Sequence, residues 1–203
     1  MFSHFLRKYK ITKFKREIQV FRQWKKTTPY LSGIWSYVQG SAFVATGELA
    51  LAQAELAKLE ILMAASSTAG NRAGATATRE IVALAAYGLR GEIQLAMGEL
   101  EGAIASFEFG VALEDTNNYT EPPDWSQSVR LYLGAALLEA GPAVEAEEVY
   151  RKDLEWNQRN GWTTFGLYQA LEAQGKDQEA IIVNRQFEEL WRNADVELER
   201  SRL

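Results

Sequence analysis

The sequence predicts an all-α fold built of helical hairpins, and three observations carry that prediction. Glycine recurs with an alanine five residues behind it: Gly47 with Ala52, Gly98 with Ala103, Gly141 with Ala146 and Gly175 with Ala180. Seven residues before three of these glycines stands another, at Gly40, Gly91 and Gly134, while Tyr168 takes the fourth place. Beyond Pro29 the chain is rich in Ala and Leu with few β-branched runs, which favours helix throughout.

The elements follow in order. Residues 1–28 form a basic N-terminal arm: nine Lys or Arg lie within residues 1–26 against Glu17 alone. At 100° per residue Phe5 and Tyr9 share one helical face and Phe14, Ile18 and Phe21 another, so the arm reads as two short amphipathic helices or one bent helix. Its interleaved charges leave no apolar core of a secretory signal. Residues 29–203 form the repeat domain, with hairpins over about 30–63, 79–114, 126–156 and 160–192 and a tail to 203. In each hairpin the central glycine ends the first helix in a left-handed conformation that it tolerates better than other residues. The earlier glycine and the later alanine let the two helices approach closely, and a large residue four beyond the alanine (Leu56, Phe107, Tyr150) packs one turn further on, with Asn184 as the departure. The glycine intervals are 51, 43 and 34 residues, so extra chain is inserted early. It is visible as the small-residue stretch from Ala64 to Thr78 and as the segment from Glu114 to Trp125, where Pro122 and Pro123 stop a helix. Trp125 reads as a packed lid on the second of these loops.

With these spacings the chain resembles the tetratricopeptide repeat family, whose unit is a helical hairpin of 34 residues. Leu133-Gly134 stands where that family carries a Leu-Gly pair. The segments EPPDW (121–125), SVRLYLGAALLEAG (128–141) and NGWTTFGLYQALEAQG (160–175) look like the C-terminal repeat region of larger bacterial members. The resemblance implies an α-α superhelix of about four hairpins, acting as a protein-binding scaffold or adaptor. It also implies that the second, fifth, ninth and twelfth places of each first helix face a groove that holds a peptide. Those places are Ile34, Tyr37, Ser41 and Val44; Ala85, Gly88, Glu92 and Leu95; Ser128, Leu131, Ala135 and Leu138; Trp162, Phe165, Gln169 and Glu172. None is Lys, Arg or Asn, so the carboxylate clamp of the chaperone-adaptor branch is not expected. Tyr37, Trp162 and Phe165 read either as ligand anchors or as packing between helices.

Composition narrows the chemistry. The chain of 203 residues is long enough to bury a core, and its 47% hydrophobic and 24% charged residues are those of a globular protein. It has no Cys and only His4, which removes thiolate zinc sites, disulfides, a Cys–His dyad and a multi-histidine metal cage. The glycines around Gly70 and Gly74 lack the lysine of a phosphate-binding loop. No catalytic residue, metal or cofactor is expected. The net charge of −5 is divided between the basic arm and a body with 13 basic and 26 acidic side chains, which disfavours nucleic acid. Glu145, Glu147 and Glu148 read as a solvated face, as do Glu188, Glu189 and Arg192. The expected partner is a protein or peptide, with the chain's own arm or a second copy as candidates, in a cytoplasmic setting. The alternative is a peripheral adaptor held at an anionic membrane surface by its basic aromatic arm.

Overall fold

A computed structural model describes residues 28–65, 72–73, 76–117, 124–125 and 127–202. The arm residues Phe5, Tyr9, Phe14, Ile18 and Phe21 lie outside them. The described residues form eight helices: α1 (Pro29–Ala45), α2 (Leu49–Ala64), α3 (Thr78–Met97), α4 (Leu100–Thr116), α5 (Arg130–Ala140), α6 (Ala143–Trp156), α7 (Gly161–Ala173) and α8 (Asp177–Trp191). The one ladder among the described residues is a two-residue antiparallel pairing of β1 (Arg72–Ala73) with β2 (Thr76–Ala77), inside the first small-residue insertion.

Each helix pair turns on the repeated glycine. Gly47, Gly98, Gly141 and Gly175 all have positive φ, between 69° and 107°, the region in which a side chain is strained. Three of the turns close identically. The glycine N–H reaches back three residues and the next N–H reaches back five, as in Gly98 to Leu95 at 3.0 Å and Glu99 to Gln94 at 2.8 Å. At Gly141 the following residue is Pro142, which has no N–H to donate. That turn closes instead with one bond from Gly141 N to the Leu137 carbonyl at 2.9 Å.

Two helices carry side-chain caps at their starts. Thr28 Oγ1 accepts from Leu31 N ahead of Pro29, and Asn160 Oδ1 accepts from Trp162 N at 3.0 Å.

The chain divides into two compact units, with the boundary after Leu89 inside α3. In the first, α1 packs on α2 and on the N-terminal part of α3. A methyl group added at Gly33 would stand 2.8 Å from Val82, and one at Gly40 would stand 2.3 Å from Leu89. Gly40 thus meets Leu89 of the next hairpin, a partner that the repeat spacing does not name. Leu59, Ile81, Leu84 and Ala52 complete this core.

In the second unit α4 packs on α5, α5 on α6 and α7, α6 on α7, and α7 on α8. Here the large residues pack on the glycines themselves rather than one turn further on: Gly91 faces the ring of Phe107, and Gly134 faces the ring of Tyr150. Ala103, Ala146 and Ala180 are buried at the close approaches. The fourth hairpin exchanges the sizes, with Tyr168 in the glycine place and Asn184 in the large one.

Candidate functional site

Tyr150 organises the end of the second unit. It sits on α6, fully buried, and its ring passes between α5 and α7 because both helices present glycine to it. Methyl groups at Gly134 and Gly166 would stand 2.4 Å and 2.3 Å from the ring. Only bare backbone leaves room for a phenol there, so the hydroxyl reaches the far side of the α5/α7 layer.

On that far side lies the segment after α8. Residues 196–202 carry no helix or ladder, yet Ser201 is 0% exposed. Ser201 Oγ donates to the Leu131 carbonyl at 3.0 Å, which uses its single proton. The Tyr150 hydroxyl, 2.7 Å from the same oxygen, is therefore the donor to it. Burial raises the Tyr150 phenol above its ordinary range, against the lowering effect of the Ser201 bond, and keeps it protonated for that role.

Further contacts fasten this strap along its length. Trp191 Nε1 donates to the Val196 carbonyl at 2.6 Å, and Gln169 Nε2 donates to the Glu199 carbonyl at 3.0 Å. Arg200 Nη1 lies 3.4 Å from Glu139, and the Arg202 guanidinium lies 5.5 Å from the centre of the Tyr132 ring. The strap thus runs across α5 and α7, the two first helices of this unit.

The residues expected to line a groove fall into four groups. Leu131 and Gln169 both touch the strap, one through its carbonyl and the other through its amide. Trp162 and Phe165 are engaged with α8: the Trp162 ring is 5.1 Å from that of Trp191, and the Phe165 ring 4.9 Å from that of Phe187. Leu138 is half-buried on α5, as is Leu95 on α3, whereas Glu92 is buried and Glu172 exposed. In the first unit Tyr37 lies over Gly88, 3.4 Å from where its Cβ would be, beside half-buried Ser41 and Val44.

Two carboxylates are perturbed, and one of them departs from its sequence reading. Glu147, expected on a solvated face, is 7% exposed. It accepts from Lys176 Nζ at 2.6 Å, Arg151 Nε at 2.7 Å and Gln174 Nε2 at 2.7 Å. Burial alone would raise its pKa, but these three donors outweigh it and hold the carboxyl at about 2. The face reading failed because Glu147 projects toward the next hairpin, whereas its neighbours Glu145 and Glu148 are exposed as expected.

Glu114 does the opposite. It ends α4 by accepting from Val129 N at 3.1 Å and Ser128 Oγ at 3.2 Å, closing the start of α5. Burial lifts its pKa to about 7 against the lowering effect of those bonds and of Arg130. Arg130 itself is taken by Asp115, at 2.6 Å and 2.7 Å from one guanidinium nitrogen.

The strap was invisible to spacing arguments. Ser201, Arg200, Arg202 and Tyr132 carry no repeat signature, and only the second glycine opposite Tyr150, Gly166, hinted that its ring reaches a further layer. Trp125 is half-buried at the end of its loop. Among the described residues no group of three or more His, Cys, Asp or Glu is placed to hold a metal ion, and no helix is long and apolar enough to cross a membrane. No protein-family model matches the chain, and no curated protein matches it.

Proposed function

We propose that this chain is a non-catalytic interaction module, a tetratricopeptide-like repeat protein whose first helices hold a segment of a protein partner. The observation that supports this most is the seating of the strap: a non-helical piece of chain lies across α5 and α7 and is touched by Leu131 and Gln169. Those are positions that the repeat resemblance assigns to ligand contact. A surface that holds one non-helical segment through a carbonyl, an amide, a carboxylate and an aromatic ring has the equipment to hold another. Its contacts are hydrogen bonds and packing, with no activated nucleophile among them. The body's acidic excess suits a basic partner and weakens any attraction to nucleic acid.

An array of unrelated peptides probed with the purified full chain tests this reading, followed by anisotropy titration of the peptides retained. Saturable binding with Kd of roughly micromolar or tighter is expected. Gln169→Ala or Tyr37→Ala should weaken it with helicity unchanged. A chain that binds no peptide saturably, either unmodified or with its strap loosened by Arg200→Glu, would end the proposal.

A further inference from the structure

We propose that the α5/α7 face is a recognition site for a non-helical protein segment with a small hydroxyl residue between two arginines, and that the strap is its resident, displaceable ligand. The inference rests on the interaction-module reading and adds the ligand's chemistry.

Each part of the strap reports one requirement. At the centre, Ser201 occupies a slot bounded by the Tyr150 hydroxyl and the Leu131 carbonyl, one a donor and the other an acceptor. Only a hydroxyl both accepts and donates there, and the slot is closed: Ser201 has no exposed surface, so a larger side chain has no room. Serine is specified, and a phosphorylated serine is rejected because its charge would face a carbonyl oxygen. On either side the requirement is cationic. Arg200 pairs with Glu139, and Arg202 covers the π face of Tyr132. Before Arg200 the site reads backbone, since Gln169 meets the Glu199 carbonyl while the Glu199 side chain is exposed.

The strap is also an imperfect occupant. Among the described residues Arg202 Nε is buried without an acceptor. Buried donors left unpaired are costly, and a ligand that satisfied this one would gain over the strap. With no helix or ladder of its own, the strap belongs to the part of a fold that opens most readily. Tethering supplies a high effective concentration, so release lets a free segment of the same pattern compete.

The test uses the full chain and a labelled peptide with the sequence of residues 196–203, VELERSRL. Ser201→Arg closes the slot to the chain's own strap, and Arg200→Glu with Arg202→Glu loosens it from outside. Both variants should bind the peptide at least tenfold more tightly than the unmodified chain does. Binding should drop by a similar factor when the peptide's serine is replaced by valine or carries phosphate. If either folded variant binds the peptide no better than the unmodified chain does, or if the valine peptide binds as well, the recognition site does not exist as described. Should neither variant fold, the unmodified chain serves: millimolar peptide should raise deuterium uptake at residues 198–202, and unchanged uptake overturns the proposal. Array ligands that lack the arginine-flanked hydroxyl, with no binding of VELERSRL, would overturn this inference and leave the interaction module standing. A blank array would remove the module.

Discussion

The ring of Tyr150 touches the backbone of Gly134 so closely that a methyl group on that glycine would stand 2.4 Å away. The contact is an obligate size match between the two helices of one hairpin, and Gly166 repeats it from the next. Gly134→Ala is therefore expected to destabilise the chain by about 2 kcal/mol, as overpacking of a rigid core does. In a Tyr150→Leu background the same change should cost clearly less. Urea unfolding of the four proteins checks this, and equal costs in both backgrounds would mean that the contact is not what makes the glycine necessary.

Tyr150 and Ser201 should be coupled. Ser201→Ala leaves the phenol buried with its donor unmet and should cost about 1–3 kcal/mol, whereas Tyr150→Phe removes donor and need together and should cost less. Once Tyr150 is Phe, the added cost of Ser201→Ala should fall. Additive losses in a double-mutant cycle would contradict the geometry.

Backbone strain makes a pair of predictions of opposite sign. No atom lies within 4 Å of a Cβ on Gly98, so Gly98→Ala meets no clash, only its φ of 78°. A loss of about 1–2 kcal/mol is expected from conformation alone. Arg159 has φ 62° in the turn between α6 and α7. Arg159→Gly should gain up to about 1 kcal/mol, less the entropy that glycine adds to the unfolded chain. Melting temperatures should move in opposite directions.

The two perturbed carboxylates should bend the pH dependence of stability in opposite ways. Glu147 has its folded pKa lowered to about 2, so its contribution is present above about pH 4.5 and is lost as pH falls through 2. Lys176 and Arg151 are each more than two-fifths exposed, so solvent screening limits the loss on Glu147→Gln to about 1–2 kcal/mol at pH 7. The variant should show a flatter profile between pH 2 and about 5. No change in slope there would remove the proposed role of the three donors.

Glu114 has its folded pKa raised to about 7, so its contribution is present below about pH 4.5 and is lost as pH rises through 7. Glu114→Gln keeps an oxygen for Val129 N–H and removes the buried charge. It should raise stability at pH 8 by about 2 kcal/mol and leave it nearly unchanged at pH 5. A variant less stable at pH 8 would show that the Arg130 attraction outweighs desolvation.

The helical architecture was legible because its signal is local and repeated. A left-handed turn constrains one residue to glycine, and all four spaced glycines adopt it. Gly91, Phe107, Gly134 and Tyr150 were readable as packing positions for the same reason, recurring at constant separation within a hairpin, although each ring meets its glycine directly rather than one turn further on. Legibility ended where partners come from other hairpins. Leu89 fills the space at Gly40, and Lys176 buries Glu147; neither pairing has a fixed spacing within a repeat. The candidate site was less legible still. Leu131 and Gln169 were named as ligand-facing places, but the segment that touches them is short, polar and aperiodic.

The bond from Ser201 to Leu131 joins residues 70 apart, and its neighbour from Tyr150 spans 51. Stacked hairpins ordinarily speak only to the next in line, so a stack can fray from its end one unit at a time. A clasp from beyond the last hairpin to the first helix of the hairpin before it changes that rule. α8 cannot peel away while the clasp is shut, and once the clasp opens the last hairpin is left with nearest-neighbour support alone. Loss of the two bonds is then the first event of unfolding from this end, and their closure the last event of folding, because the long loop must be ordered before the serine finds its slot.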